Sequence, residues 1–218
     1  MKKLVMICLV LGCLSVFSQK SDTLVGNGLY EALYSYKYGQ PLYVKYKLYK
    51  GGGICNRKKE VTDFRNDSVI KYLTASYTDY EGTAYNRCLF ANAEDFAYDC
   101  KKQELTFRYY NCSPKLENLK NIWKLNEDKI RKISQTDSLL IFCGNIFSSK
   151  SKYVKHNSVL RVPDYFYKLV VSLSTHKVLY CGIFSNTENP EEKELSFKEI
   201  EYKTRFYFER ITRFSFKE

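Results

Sequence analysis

The chain has 218 residues, 44% of them hydrophobic and 16% aromatic, and carries a formal net charge of +11. Beyond residues 1–18 no stretch approaches membrane-spanning length, no Pro- or Ser-rich linker divides the chain, and no internal repeat is present. Those features set aside a membrane span, a repeat array and a linker-separated pair of domains, and they leave one domain with a sizeable core.

Residues 1–18 read as a secretory signal peptide. Lys2 and Lys3 form a positive start, Leu4 to Phe17 is apolar and uncharged, and Val16 and Ser18 are the small residues expected before a cut near Gln19. Val10-Leu11-Gly12-Cys13 also resembles a lipobox, but Leu14 to Phe17 stay apolar where a lipoprotein turns polar. Residues 19–218 then form a single domain, secreted or held in the periplasm or cell envelope. Losing Lys2 and Lys3 leaves a net charge of 11 − 2 = +9. Such an excess suits a polyanion such as DNA or RNA, or an anionic surface, and it is also what a solvated lysine-rich surface looks like.

The aromatic residues fall mostly in short alternating runs, which is strand chemistry. From Pro41 to Tyr49, Leu42, Val44, Tyr46 and Leu48 alternate with Tyr43, Lys45 and Lys47. Gly51-Gly52-Gly53 ends that strand and opens a basic loop at Arg57-Lys58-Lys59. Glu104 to Tyr110 and Ser138 to Phe142 read as further strands. The spacing of Leu116, Leu119, Ile122, Trp123, Ile130 and Ile133 predicts an amphipathic helix. Tyr165 to Ser174 and Lys177 to Ser185 pair across a turn near Thr175-His176, and Ser196 to Glu201 predicts a short helix. Strands mixed with a few helices, without a βαβ rhythm, indicate an α+β fold: a central antiparallel sheet flanked by helices.

Past residue 18 the cysteines are Cys55, Cys88, Cys100, Cys112, Cys143 and Cys181. An even number in an exported chain permits disulfides, and sequence cannot choose among the pairings. Cys100 with Cys112 is the local candidate, while Cys143 reads as a buried free thiol in an apolar strand. Neither His156 nor His176 has a cysteine at zinc-ligand spacing.

Several blocks, in order, carry a family resemblance from about Tyr30 to Phe208. Asn86-Arg87-Cys88-Leu89 and the following Phe90-Ala91-Asn92-Ala93-Glu94-Asp95-Phe96 stand where a nuclease signature has Asp-Arg-Gly-His and Leu-Ala-Pro-Ala-Ala-Asp-Phe. Asn111-Cys112-Ser113-Pro114-Lys115, Ile122-Trp123-Lys124-Leu125-Asn126-Glu127, Cys143-Gly144-Asn145-Ile146-Phe147 and Val162-Pro163-Asp164-Tyr165-Phe166-Tyr167-Lys168 match further blocks, and the run at Tyr34 to Tyr46 resembles the opening strand. The chain thus resembles the DNA/RNA non-specific endonucleases, the ββα-metal or His-Me-finger group. The resemblance implies that fold, a DNA or RNA substrate, and Mg²⁺-dependent phosphodiester hydrolysis.

That hydrolysis needs a base for water, a divalent cation, a positive group facing the phosphate and a leaving group in line. By resemblance Arg87 would contact the phosphate and Glu127 would be the helix glutamate of the site. As ordinary residues, Arg87 would pair with Asp95 or Glu127, and Glu127 would be an exposed helix carboxylate. Leu89 occupies the position of the base, and leucine accepts no proton; losing a general base costs about 10²–10⁴-fold in rate. Cys88 replaces glycine and reads as buried; a thiol with a pKa of about 8.5 is poorly matched to the base's role. The family's metal-binding asparagine falls at Leu119. Asn118 is the nearest substitute, but it lies about 180° from Glu127 on a continuous helix, so it would serve only from just outside the helix. Arg57 and Arg65 stand where the resemblance implies another phosphate-contacting arginine.

Three readings follow. The first is an exported nuclease-like protein that binds nucleic acid phosphates with hydrolysis impaired. The second is an active endonuclease with a relocated base, Glu94, Asp95 or a histidine. The third is a cell-envelope binding or scaffold protein.

Overall fold

The computed structural model describes residues 22–55, 64, 75–154 and 159–218. The proposed signal peptide, Arg57, Arg65 and His156 lie outside them. In chain order the strands are β1 Thr23–Gly26, β2 Tyr30–Ser35, β3 Gln40–Leu48, β4 Tyr85–Leu89, β5 Cys112–Leu116, β6 Leu139–Ile146, β7 Tyr165–Ser172, β8 Val178–Ser185 and β9 Glu192–Glu194. The helices are α1 Tyr77–Tyr80, α2 Cys100–Leu105, α3 Lys120–Ile133, α4 Phe197–Thr204 and α5 Phe208–Thr212. β1-β2-β3-β6-β7-β8-β9 form a seven-stranded sheet, and β4 and β5 form a second, two-stranded one among the described residues. Every neighbouring pair is antiparallel. The fold is therefore α+β, with an antiparallel sheet between helices.

Alternation along the strands sorts side chains onto two faces of the sheet. Val44, Tyr46 and Leu48 of β3 join Ile141 and Cys143 of β6, Phe166 and Val170 of β7, and Phe184 of β8 in one core. α3 lies over that face. Its Trp123 meets Phe166 and Phe184 edge-on, with ring centroids 5.6 and 5.0 Å away. Tyr43, Phe142, Tyr167, Leu169 and Ile183 point the other way, into a second core with Ile200 of α4 and Phe208 of α5. Both faces of β6 and β7 are thus covered, which is why these central strands are apolar almost throughout. Lys168 interrupts β7: it is 2% exposed and shares the α3 side with Phe166 and Val170.

α4 starts where its sequence signals a start. Ser196 Oγ accepts from the Glu199 amide, and Glu199 returns a carboxylate oxygen to the Ser196 amide at 2.8 Å. The β7–β8 turn carries His176 at φ 61°.

Three expectations fail. The helix expected from Leu116 begins only at Lys120, because Leu116 is still paired with Tyr85 at the end of β5 and Leu119 lies in a 3-10 turn. Glu104 to Tyr110 is not a strand. α2 occupies its start, with Asp99 capping the amides of Lys101 and Lys102, and a short 3-10 turn follows at Tyr109–Asn111. The Asp99 cap overrides the local alternation, because it satisfies helix-terminal amides that an extended chain would have to pair elsewhere. Cys100 bonds to Cys55, not to Cys112. Cys100 begins α2 beside the Gly51–Cys55 segment, whereas Cys112 sits in β5 and is buried. Cys88, Cys143 and Cys181 are also free and buried.

Candidate functional site

β4 carries the Asn86-Arg87-Cys88-Leu89 tetrapeptide and runs antiparallel to β5, with Arg87 opposite Pro114, Cys88 opposite Ser113 and Leu89 opposite Cys112. β5 leads through a 3-10 turn at Glu117–Leu119 into α3. Strand, strand and helix enclose a cleft of about 590 Å³ whose walls include Arg87, Cys88, Leu89, Trp123 and Glu127. The opposite wall is the Gly52–Cys55 segment with Ala93, Glu94 and Ala97. That wall is built tightly. Gly53 sits at φ 141°, where a Cβ would collide with the Ala97 carbonyl, and the Cys55 amide donates to the same carbonyl at 3.0 Å. Five cations (Arg87, Lys115, Lys120, Lys124, Arg131) and two carboxylates (Glu94, Glu127) line the cleft, so its local charge is 5 − 2 = +3.

Arg87 is half-buried, its guanidinium carbon 4.3 Å from the Phe64 ring centroid and 5.7 Å from that of Tyr77. The aromatic faces hold the guanidinium plane, and Arg87 also hydrogen-bonds the Tyr109 side chain; a guanidinium carries five N–H donors in a fork that suits a phosphate. Asp95 is engaged elsewhere. It is 3% exposed and accepts from Tyr46 Oη at 2.9 Å and from Arg131 Nε at 3.0 Å. Burial raises the Asp95 carboxyl to about 6, against the pull of Arg131.

At the position of the base the side chain is Leu89, half-buried against the Phe64–Tyr109 cluster. Beside it, Cys88 is 2% exposed, and burial pushes its thiol up to about 11 although Lys115 and Lys168 pull it down. Cys88 is therefore protonated at neutral pH and offers no base. Of the relocated bases considered, Glu94 lines the cleft and pairs with Arg131 Nη1 at 3.3 Å. Asp95 does not line it. His176 stacks on Phe214 at 4.8 Å in the β7–β8 turn.

Glu127 is brought to the cleft beside Arg87, and Asn118 is not. Glu127 is 8% exposed, and its Oε1 is buried with no hydrogen-bond partner. Asn118, in the 3-10 turn before α3, instead donates to the Glu188 carbonyl at 2.6 Å. Leu119 is fully buried in the core with Trp123. Among the described residues no group of three or more His, Cys, Asp and Glu could hold a metal ion. The residues present therefore do not fit an asparagine-anchored Mg²⁺: one carboxylate faces the cleft floor, and the amide position is hydrocarbon.

Lys115 and Arg131 of the cleft, and Lys168 in the core behind Trp123, had no role assigned from sequence. Lys115 Nζ stands 5.7 Å from the Trp123 ring centroid, and Lys168 Nζ 4.1 Å from it. Arg131 also reaches Asp128 at 2.7 Å. The signal for Arg131 was present as its helical step from Trp123 and Glu127; Lys115 and Lys168 offered none, because their approach depends on how the sheet and α3 pack.

Comparison with known proteins agrees with this architecture. A family model described as DNA/RNA non-specific endonuclease matches residues 15–217. Mitochondrial endonuclease G of Homo sapiens is 28% identical over 121 residues, covering 50% of this chain and 41% of that protein. The Bos taurus protein is 27% identical over 117 residues, covering 49% and 39%. The matched segments thus span about two-fifths of those relatives. A chain from a crystal structure of the EndoG/EndoGI complex superposes with a TM-score of 0.72 at 21% identity, covering 89% of each chain.

Proposed function

Because the chain belongs to the DNA/RNA non-specific endonuclease family, we propose that it binds DNA or RNA through phosphate contacts in the cleft between β4 and α3, with hydrolysis by the family's ordinary route impaired. The observation that carries this reading is the pairing of Leu89 and a neutral Cys88 with an intact basic wall. Arg87 and Lys115, from adjacent strands, present N–H donors to a phosphate. Neither needs to exchange a proton to hold one. The tetrapeptide offers no side chain basic enough to take a proton from water.

The family's chemistry depends on a metal ion, and Mg²⁺ is the ion that the resemblance implies. With buried Leu119 at the asparagine position, the cleft lacks the amide that would hold it. Export fits the Cys55–Cys100 disulfide, since such bonds persist in oxidising compartments.

The test is a titration of labelled DNA and RNA with the purified chain across a salt series, beside plasmid and RNA cleavage in Mg²⁺ or Mn²⁺. Salt-sensitive binding without cleavage is expected, with Arg87→Ala weakening binding about tenfold and flattening the log–log salt slope by about 0.9. No binding at low salt leaves only the scaffold reading. One observation favours an active enzyme as the second reading, the exposed carboxylate of Glu94 in the cleft wall. Cleavage that vanishes in Glu94→Gln would establish that reading in place of the first.

A further inference from the structure

α3 turns Trp123, Glu127 and Arg131 into the cleft at successive four-residue steps. Each carries a buried polar atom without a hydrogen-bond partner: Trp123 Nε1, Glu127 Oε1 and Arg131 Nη2. Four residues of helix rise about 6 Å, so residues bearing donor, acceptor and donor follow one another along about 12 Å of α3. Native interiors rarely leave even one such group unpaired, and three on residues that line a single cleft mark a place where a ligand can complete the bonding.

The order of the row constrains that ligand. Lys120 is paired with Glu117 at 2.9 Å, Lys124 with Asp128 at 2.7 Å, and Arg131 Nε with Asp95 at 3.0 Å. Glu127 takes none of these cations, although the cleft around it is basic. A carboxylate left open between donors that suit phosphate requires a ligand presenting a hydrogen-bond donor between its phosphates. In a polynucleotide the group between phosphates is the sugar. Deoxyribose within a strand has no donor there, whereas ribose offers its 2′-hydroxyl, the group by which proteins tell RNA from DNA. Acidic side chains accept from ribose hydroxyls in this manner in dinucleotide sites.

We propose that Glu127 accepts a hydrogen bond from a ribose 2′-hydroxyl, so that the cleft prefers RNA to DNA of the same sequence. This rests on the nucleic-acid reading of the cleft. With DNA the same carboxylate faces phosphates with nothing to accept from, and so it selects against DNA as well as for RNA.

The experiment measures affinity of the full chain for three short single strands of one sequence, in EDTA at low salt: RNA, DNA and 2′-O-methyl RNA. RNA should bind about tenfold tighter than DNA, the effect of one hydrogen bond to a charged acceptor. The 2′-O-methyl strand, which keeps the ribose but cannot donate, should fall to the DNA value. Glu127→Leu should abolish the preference, and Lys115→Ala should weaken RNA and DNA alike. The ligand series needs no variant, so a misfolded Glu127→Leu would not spare the proposal. Equal affinity for RNA and DNA overturns it and leaves the nucleic-acid reading standing. If Mg²⁺ then raises both affinities, and Glu127→Leu cancels that gain, Glu127 is a cation ligand instead. A preference that survives Glu127→Leu also overturns it. Binding of none of the three strands overturns the cleft reading itself.

Discussion

The two faces of the seven-stranded sheet are built on opposite principles. On one, α4 and α5 close an apolar core in which Phe208 meets Phe142 at 4.9 Å and Tyr167 at 6.0 Å, and Ile200 and Phe208 are fully buried. On the other, α3 covers a comparable core but brings charge with it: Asp95, Glu127 and Lys168 are all nearly buried there. Of the seven buried polar side-chain atoms without partners among the described residues, four belong to α3. Stability comes most cheaply from the first arrangement, since an unpaired buried polar group works against folding. The α3 face keeps its groups unpaired beside an open cleft, and this contrast separates the scaffold from the working surface.

The contrast can be attacked from the scaffold side first. Phe208→Ala empties a site that is fully buried. It should destabilise the chain by about 3–5 kcal/mol in urea unfolding while leaving the nucleic-acid affinity of the folded fraction unchanged. Reduced affinity in that fraction would mean that the two faces are coupled.

Replacing Cys55 and Cys100 together by serine opens a loop that spans 45 residues of sequence separation. The expected loss is about 2–4 kcal/mol. Because Cys55 lines the cleft, affinity should fall as well, unlike the Phe208→Ala result. A binding curve unmoved by the double substitution would show that the backbone bonds to Ala97 hold the wall by themselves.

Asp95 gives the α3 face a pH-dependent stability. Its folded carboxyl titrates at about 6, above the ordinary 3.8, because burial outweighs Arg131. A carboxyl raised on folding binds its proton more tightly in the native state. Its contribution is therefore most favourable below about pH 4 and is lost as pH rises to about 6. Relative to Asp95→Asn, the wild-type unfolding free energy from urea titration should decline across that window by an amount on the order of 2–3 kcal/mol. A flat difference between the two proteins would place the Asp95 titration outside it.

The smallest expected effect belongs to the most obvious repair. Leu89→His returns an imidazole to the position of the base but leaves Leu119 buried and Asn118 bonded to Glu188. Plasmid nicking should stay within about tenfold of background. Robust cleavage from this single change would show that Glu127 and solvent suffice to hold the metal.

Residues whose environment is set by their own chain neighbours were legible in the sequence. The alternation of β3 and the Tyr165–Ser185 hairpin emerged as read, and so did the Ser196 start of α4; the amphipathic stripe of α3 did so only from Ile122 onward, since Leu116 and Leu119 precede the helix. The segment from Glu104 to Tyr110 misled because a single capping aspartate outweighs a short alternation. In the cleft, Arg87 and Glu127 were placed together by motif order and Arg131 was signalled only by its helical step, while Lys115 stayed hidden in an ordinary basic position.

What the sequence alone determined is covalent. Leu89 cannot take a proton wherever it lies, and the ordered blocks around it specify the family and its antiparallel α+β fold. Only the tertiary structure decided matters of distance and burial: that Cys55 closes on Cys100, that Asn118 turns to Glu188, that Arg131 takes Asp95, and that Cys88 is held protonated. The row of open groups on α3 belongs with these. A hydrogen bond left unmade has no signature in a string of residues, because it is defined by every neighbour that fails to arrive.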